Sequence, residues 1–235
     1  ELLKNCLLDI SQYDFDILII EHQQNYGYGK SLKTGFTYVK ENNYTWVISF
    51  DMDGQHEPRC LYRFMNQIVH DPSVALVSGS RYKSAQYFWQ NPWKDRFLVN
   101  CIISTILSKF HIHVTDAFCG MKAFRVSALE DLTLIKNGYE MPLEYWIKMK
   151  QQQQKFHELP VKKKKKNRMQ VFQRNIEETE IVKNAITRLK KYITIINEFA
   201  QTPIVVNFPG ITELFIAYYH KYQEITTKNF QTIRD

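Results

Sequence analysis

The most informative part of this chain is Trp46-Val47-Ile48-Ser49-Phe50-Asp51-Met52-Asp53-Gly54-Gln55-His56-Glu57-Pro58. Its first half is an apolar run, which is typical of a strand in the interior of a sheet. The run ends in Asp51 and Asp53, and residues two apart in an extended chain point to the same side. Open α/β sheets bind their ligands at the carboxyl ends of strands. The segment therefore predicts an α/β fold in which one strand delivers two carboxylates to a ligand site.

Asp51 and Asp53 are suited to a hard divalent cation. Mg²⁺ and Mn²⁺ prefer oxygen ligands and are commonly held by one or two carboxylates together with substrate phosphates. A simpler explanation is also open, because Asp53-Gly54 is a common turn sequence and Pro58 suits the first turn of a helix. Asp-x-Asp alone does not choose between the two.

The longer string from Asp51 to Pro58 resembles the Asp-x-Asp signature of family 2 glycosyltransferases of the GT-A fold. The branch in question contains dolichyl-phosphate mannose synthases and bacterial polyprenyl-phosphate glucosyltransferases. The resemblance implies a GT-A (Rossmann-like) α/β fold, with a mainly parallel sheet and helices on both faces. It also implies that Mg²⁺ or Mn²⁺ and the donor diphosphate are held by Asp51, Asp53 and Gln55.

A second match is the glycine-rich segment Asn25-Tyr26-Gly27-Tyr28-Gly29-Lys30-Ser31-Leu32. Its glycines permit a tight turn, and the amides of the helix that starts near Lys30 can face an anion. A P-loop and a Rossmann fingerprint are excluded, because Gln24 and Leu32 stand where glycines are required. The segment resembles the Asn-x-Gly-x-Gly-x-Ala-Leu string of the family, and the alternative is a plain strand-to-helix turn. The resemblance implies that the donor is bound by Asn25, Gly27, Gly29 and Lys30.

Gly79-Ser80-Arg81 follows an apolar strand, so Arg81 is predicted to lie on the same rim of the sheet as Asp51. The family has an arginine near the donor phosphates at this place, whereas a solvated surface arginine is the alternative. Residues 115–125 resemble the acceptor-side motif Asp-x-x-x-Gly-x-(Lys/Arg)-x-(Phe/Tyr)-Arg. That match implies that Asp116 orients the acceptor or a basic residue, unless it only makes an Asx-turn.

The resemblance implies roles for further basic residues. Arg125 is expected to join Arg81 in stabilising the departing diphosphate. The residues implied to bind the acceptor phosphate are Arg96, Lys122 and Arg168.

The positive charge of the chain is concentrated in one segment. Seven basic residues and no acidic residue lie between Val161 and Asn175, which accounts for the whole excess of 31 basic over 24 acidic side chains. A single patch fits an anionic ligand or an anionic membrane surface better than a nucleic acid, and the lysine run lacks interleaved aromatic residues for base stacking. We therefore expect no nucleic-acid partner. A solvated charge run without a role is the alternative.

The expected function is transfer of a sugar from a nucleotide-sugar donor, of the GDP-mannose or UDP-glucose type, to a polyprenyl (dolichyl-like) phosphate. Residues 1–199 are expected to form the GT-A domain and residues 200–235 an aromatic extension. No apolar run approaches the roughly 18 residues of a membrane span, and the cysteines are scattered singly. These features predict a cytoplasmic protein, peripheral on the cytosolic face of a membrane.

Two motifs that are not found in the sequence help to weigh rival functions. A processive polysaccharide synthase is disfavoured, because its Gln-x-x-Arg-Trp motif is absent from the sequence. The Asp-Asp-Gly-Ser-like motif that holds the donor nucleoside in the family is also not found. That second gap favours a non-catalytic GT-A-like binding module as the alternative to an enzyme.

Overall fold

The computed structural model describes residues 17–51, 56–84, 94–162, 178–206, 209, 210 and 213, with the backbone alone for residues 94–98 and 178–182. Several predicted site residues fall outside this set. Asp53, Gln55 and Arg168 are not among the described residues, and neither is the side chain of Arg96. The lysine run is described as far as Lys162.

Helices and strands alternate along the described chain, as an α/β fold requires. The elements are α1 (Tyr28–Glu41), β1 (Trp46–Ser49), α2 (Cys60–His70), β2 (Leu76–Ser80), α3 (Lys94–Lys109), β3 (Lys122–Arg125), α4 (Val126–Glu130), α5 (Met141–Gln151), β4 (Phe156–Pro160) and α6 (Glu178–Phe199). None of the described helices is both long enough and apolar enough to cross a membrane.

The four described strands form one sheet in the order β1-β3-β2-β4. β3 is antiparallel to both of its neighbours, and β2 is parallel to β4. The expectation of a mainly parallel sheet is therefore not confirmed for the described residues, because two of their three pairings are antiparallel. β1, β2 and β4 nevertheless run the same way, and β3 runs against them. As a result the carboxyl ends of β1 and β2 meet the amino end of β3 at one edge, which we call the site edge.

Helices cover both faces of the sheet, as expected. Adjacent residues of a strand point to opposite faces. Leu76 of β2 packs in a large apolar cluster with Trp146 of α5, whereas Val77 packs in a smaller cluster with Phe64 of α2. Helices α1, α3, α5 and α6 contribute to the large cluster and α2 to the small one.

The chain beyond α6 stays in contact with the domain for several residues. The Asn197 side chain donates to the Ile204 carbonyl and accepts from the Ile204 amide, both at 2.8 Å. Ile204 and Val206 pack against the large apolar cluster. The proposed extension from residue 200 therefore begins on the surface of the domain.

Candidate functional site

Asp51 lies directly after β1, against the segment that leads into β3. A Cβ atom on Gly120 would lie 2.0 Å from Oδ2 of Asp51, so only glycine leaves room for this carboxylate. The Ser49 hydroxyl donates to the Gly120 carbonyl at 2.6 Å, which fixes the approach of the two segments. His56 Nε2 lies 3.2 Å from the same Oδ2. The site edge thus brings together segments that are 71 residues apart in sequence.

The surroundings of Asp51 favour its ionised form. The hydrogen bond with His56 is the main cause that lowers the pKa of Asp51, and the positive charges of Lys122 and Arg81 lower it further against the effect of partial burial. The Asp51 side chain is 39% exposed. An ionised and accessible carboxylate is the kind of oxygen ligand that Mg²⁺ and Mn²⁺ use.

A complete metal site is not formed by the described residues. In residues 17–51, 56–84, 94–162 and the described part beyond, no group of three His, Cys, Asp or Glu side chains could hold a metal ion. Asp51 fits a divalent cation as a single ligand. The fit of the predicted set depends on Asp53 and Gln55, which lie outside the described residues.

Arg81 follows β2 and is clamped by Asp116. Its Nε and Nη2 donate to Oδ2 and Oδ1 of Asp116 at 2.6 and 2.7 Å. Burial opposes ionisation of both groups, but their mutual attraction outweighs it, so the pKa of Arg81 is raised and that of Asp116 is lowered. Charged, bidentate pairs of this kind hold a guanidinium in a defined plane. Asp116 does not contact Nη1, and the Arg81 side chain keeps 15% of its surface exposed.

Asp116 is fully buried and also organises its own loop. Its carboxylate accepts the backbone amides of Arg81 at 3.0 Å and Phe118 at 3.2 Å. The turn and the contact with a basic residue, which the sequence left as alternatives, therefore coexist. Because Asp116 has no exposed surface, it is placed to position Arg81 and not to contact an acceptor directly.

A buried glutamate on β4 holds the same loop from the other side. Glu158 accepts the Thr115 amide at 2.9 Å, the Thr115 hydroxyl at 2.9 Å and the Asp116 amide at 3.1 Å. The Thr115 hydroxyl also lies 2.6 Å from Ser80 Oγ, next to Arg81 in the chain. Burial raises the pKa of Glu158, and its hydrogen bonds only partly offset that rise. Glu158 was missed from the sequence, although a single acidic residue inside a short strand is a usable signal.

Two further polar side chains fix the loop from helices. Asn100 donates to the Thr115 carbonyl at 2.7 Å and accepts the Ala117 amide at 3.0 Å. Trp146 Nε1 donates to the Ala117 carbonyl at 3.0 Å. Asn100 was also missed, and its place in the otherwise apolar stretch 97–103 of α3 was the available signal.

Lys122 lies among the charged groups of the site edge, in the interior. It is 4% exposed, donates to the Cys119 carbonyl and lies over the Trp146 ring at 5.9 Å. Burial lowers the pKa of Lys122, which is opposed by the negative charges of Asp116 and Asp51. A side chain this buried is not available to an external phosphate in this conformation, so the predicted acceptor contact of Lys122 is not supported.

Arg125 lies at the opposite edge of the sheet. It pairs with Trp46, the first residue of β1, and its guanidinium lies 5.0 Å from the Trp46 ring. Its Nε donates to the Val74 carbonyl at 3.0 Å, and its Nη2 donates to the carbonyls of Val74 and Pro72. Arg125 is the last residue of β3, three residues beyond Lys122 at the site edge, which is about 10 Å along the strand. The structure therefore does not bring Arg125 together with Arg81, because β3 runs in the reverse direction and carries Arg125 to the opposite edge, and its predicted role beside the donor diphosphate is not supported.

The predicted donor segment begins α1, but its glycines serve contact with another part of the chain. Gly27 has φ of 95°, and its amide donates to Oδ1 of Asn25 at 2.9 Å. A Cβ atom on Gly29 would lie 2.8 Å from Cβ of Met141. The Lys30 amide donates to the Asn137 carbonyl at 3.1 Å, and the Lys30 side chain is exposed. The Lys30 amide is thus engaged within the chain, and the binding of an anion by the other amides at the start of α1 stays a prediction.

The start of α1 is nevertheless close to Asp51. Burial and the negative charge of Asp51 both raise the pKa of Tyr28. The ring of Tyr28 stacks on that of Tyr139, with centroids 5.4 Å apart and an interplanar angle of 9°. Tyr139 is largely exposed. The start of α1 therefore carries a stacked aromatic pair that was not predicted.

Comparison with known proteins identifies similar sequences. The family described as Glycosyl transferase family 2 matches residues 3–133. The UDP-N-acetylglucosamine--dolichyl-phosphate N-acetylglucosaminyltransferase of Methanococcus voltae is 32% identical over 150 residues, which are 62% of this chain and 59% of the relative. An uncharacterized protein of Methanocaldococcus jannaschii is 27% identical over 151 residues, 62% of this chain and 60% of the relative. The chain thus spans about 60% of the length of these relatives.

Proposed function

Because this chain belongs to glycosyl transferase family 2, we propose that it transfers a sugar from a nucleotide-sugar donor to a polyprenyl phosphate. The observation that carries the proposal is the meeting of an ionised carboxylate, Asp51, and a clamped guanidinium, Arg81, at one edge of the sheet. The Methanococcus voltae relative is named for a UDP-sugar and dolichyl phosphate, which supports the same two classes of substrate here. A donor of the GDP-mannose or UDP-glucose type is included in the proposal.

In the proposed reaction, an oxygen of the acceptor phosphate forms a bond to the anomeric carbon of the sugar. The bond from that carbon to the donor diphosphate breaks, and the diphosphate leaves with the bonding electrons. A phosphate monoester has its second pKa at about 6, so the acceptor is largely ionised at neutral pH. The attacking group therefore needs little help from a general base.

Arg81 meets the main requirement of this reaction, which is to stabilise the leaving group. Its guanidinium stays charged and is held by Asp116 before substrate arrives. A fixed charge of this kind needs no reorganisation as negative charge develops on the diphosphate. Asp51, with Asp53 and Gln55, would hold Mg²⁺ or Mn²⁺, which when bound neutralises diphosphate charge.

The basic segment that begins at Lys162 is the proposed contact for the acceptor and for an anionic membrane surface. Lys162 is exposed and follows the carboxyl end of β4, which is at the site edge. Lysines near an anionic bilayer contribute about 1 kcal/mol each, so the five from Lys162 to Lys166 can retain a domain at the surface. Arg96 and Arg168 remain proposed contacts of the acceptor phosphate.

Calorimetry of nucleotide diphosphate binding with and without Mg²⁺ tests the site. Wild type should bind the nucleotide and the metal cooperatively, since each supplies groups that the other lacks. Asp51→Asn should lose this metal dependence, whereas Asp131→Asn, a change at an exposed aspartate in another part of the domain, should keep it. Unchanged metal-dependent binding in Asp51→Asn would contradict the site.

A transfer assay separates the enzyme from a binding module. Labelled UDP- and GDP-sugars are offered with a polyprenyl phosphate, and the lipid product is extracted and counted. Nucleotide binding without transfer from any donor would favour the non-catalytic module.

A further inference from the structure

Helix α2 has an apolar stripe on the side that faces solvent. Tyr62, Met65 and Val69 are 69%, 57% and 79% exposed, and their spacing of three and then four residues places them on one helix face. The opposite face buries Cys60 and Phe64 in the small apolar cluster. A helix that packs on a core needs only the buried apolar face. The exposed stripe therefore has no packing role in the described fold.

The exposed stripe is bordered by positive charge. Arg59 and Arg63 are exposed beside it, and α2 contains no acidic residue. Arg63 Nη1 donates to the carbonyl of Pro160, the last residue of β4, at 2.7 Å. Lys162, exposed, follows two residues later. Apolar and cationic side chains therefore lie side by side on α2, and Arg63 links this helix to the end of β4 at the site edge.

We propose that this surface, Tyr62, Met65 and Val69 with Arg59 and Arg63, docks on an anionic lipid bilayer. Interfacial helices combine an apolar face that enters the headgroup region with basic residues that attract anionic lipids. Tyrosine suits this position, because its ring is apolar and its hydroxyl stays hydrated. The absence of acidic residues from α2 fits an anionic surface and would be unfavourable against a cationic one.

Docking through α2 would also orient the domain. The Arg63 contact ties the first half of α2 to the end of β4 at the site edge. A bilayer held against α2 would therefore lie beside the site edge, where a lipid phosphate could reach Arg81. This orientation rests on the proposed function, whereas the docking itself does not.

Vesicle co-sedimentation tests the docking. The full chain is mixed with phosphatidylcholine vesicles that contain about 30 mol% phosphatidylserine, which gives them an anionic surface. No donor, acceptor or metal is added. A triple variant, Tyr62→Ser with Met65→Ser and Val69→Ser, should partition at least about tenfold less than wild type, because apolar burial contributes to interfacial binding. The matched control changes Tyr44, Ile135 and Val205, which are 51%, 54% and 98% exposed elsewhere, to serine and should bind like wild type.

Two outcomes overturn the proposal. If the triple variant binds like wild type, the exposed stripe does not contact the bilayer, and a protein partner becomes the alternative. If the control loses as much binding as the triple variant, the effect is not specific to α2. Circular dichroism verifies folding, since surface changes of this kind usually alter stability by less than about 0.5 kcal/mol.

Insertion is measured without removing the stripe. Met65→Trp and Ile135→Trp are compared with wild type in vesicles that contain brominated lipid. Additional quenching of Met65→Trp alone supports docking, and equal or absent quenching in both overturns it. Because no substrate is present, a protein that docks but transfers no sugar would refute the proposed function and leave this inference standing.

Discussion

Arg81 and Asp116 are joined by two parallel hydrogen bonds, from Nε to Oδ2 at 2.6 Å and from Nη2 to Oδ1 at 2.7 Å, across 35 residues of sequence. Asp116 is fully buried, whereas Arg81 keeps part of its surface in solvent. The carboxylate therefore acts as the anchor and the guanidinium as the group presented to a ligand.

Replacing Asp116 by asparagine should destabilise the fold by about 3–5 kcal/mol, because it leaves a largely buried guanidinium without its counter-charge. The exposed Asp131→Asn change should cost less than about 0.5 kcal/mol. Urea denaturation of both variants measures the two free energies of unfolding. A loss for Asp116→Asn as small as that of the control would mean that the pair contributes little.

Glu158→Gln should change how stability depends on pH. The pKa of Glu158 is raised on folding from an unfolded value of about 4.3, so the folded state binds its proton more tightly. Its contribution to stability is thus complete below the unfolded pKa and is lost as the pH rises through the folded pKa. The free energy of unfolding of wild type minus that of Glu158→Gln should fall from pH 4 towards pH 7.

Denaturation at several pH values measures this difference, since other groups titrate alike in the two proteins. The exposed Glu41→Gln provides the comparison. A flat difference for Glu158→Gln across the range would show that its carboxyl is not perturbed in the folded state.

Gly120→Ala should impair metal-dependent nucleotide binding. Its methyl group would lie 2.0 Å from Oδ2 of Asp51 and so must displace that carboxylate. We expect affinity to fall at least about tenfold, which corresponds to about 1.4 kcal/mol. Gly35→Ala is the matched control, because nothing lies within 4 Å of its Cβ position and an alanine there should stabilise α1 by about 0.5–1 kcal/mol. Equal affinities of the two variants for the nucleotide would show that Asp51 does not take part in nucleotide binding.

Arg125→Gln should lower stability and leave nucleotide binding intact. The change removes hydrogen bonds from a charged group to backbone carbonyls, which are worth about 1.5–3 kcal/mol. Arg81→Gln should instead weaken nucleotide binding. Calorimetry measures nucleotide binding and denaturation measures stability in both variants. Weaker nucleotide binding by Arg125→Gln would support a role for Arg125 in the donor site.

Changing Lys162 to Lys166 to glutamine should weaken binding to anionic vesicles and raise the apparent KM for a lipid acceptor, with donor binding nearly intact. The wild-type attraction should also decrease with salt, because exposed charges are screened beyond about 8 Å at physiological ionic strength. Sedimentation and initial rates measure both effects. If the variant binds vesicles and uses the lipid acceptor like wild type, the lysine run serves only to keep the protein in solution.

The meeting of Asp51, Arg81 and the Asp116 loop at one edge could be predicted from sequence, because each follows or precedes an apolar run. The position of Arg125 could not, since a motif gives the spacing of its residues without the direction of its strand. Lys122 at the start of β3 stays at the site edge, whereas Arg125 at its end does not.

Glu158 and Asn100 escaped prediction for a different reason. Glu158 bonds residues 42 and 43 positions away, and Asn100 bonds residues 15 and 17 positions away. No local propensity encodes such contacts. The local signs were a lone acidic residue within a short strand for Glu158 and a polar residue between Val99 and Cys101 for Asn100.

The reversed strand between β1 and β2 also has a consequence during synthesis. Neither β1 nor β2 pairs with the other, and both await β3, whose last residue is Arg125. At about 5–20 residues per second, the ribosome takes roughly 2–9 s to pass from the end of β2 to the end of β3. For that interval the nascent chain carries two strands without the neighbour that joins them, which exposes edges that can pair with other chains. If synthesis stalls or the chain is cut before residue 122, both β1 and β2 therefore lose β3, the strand with which each of them pairs.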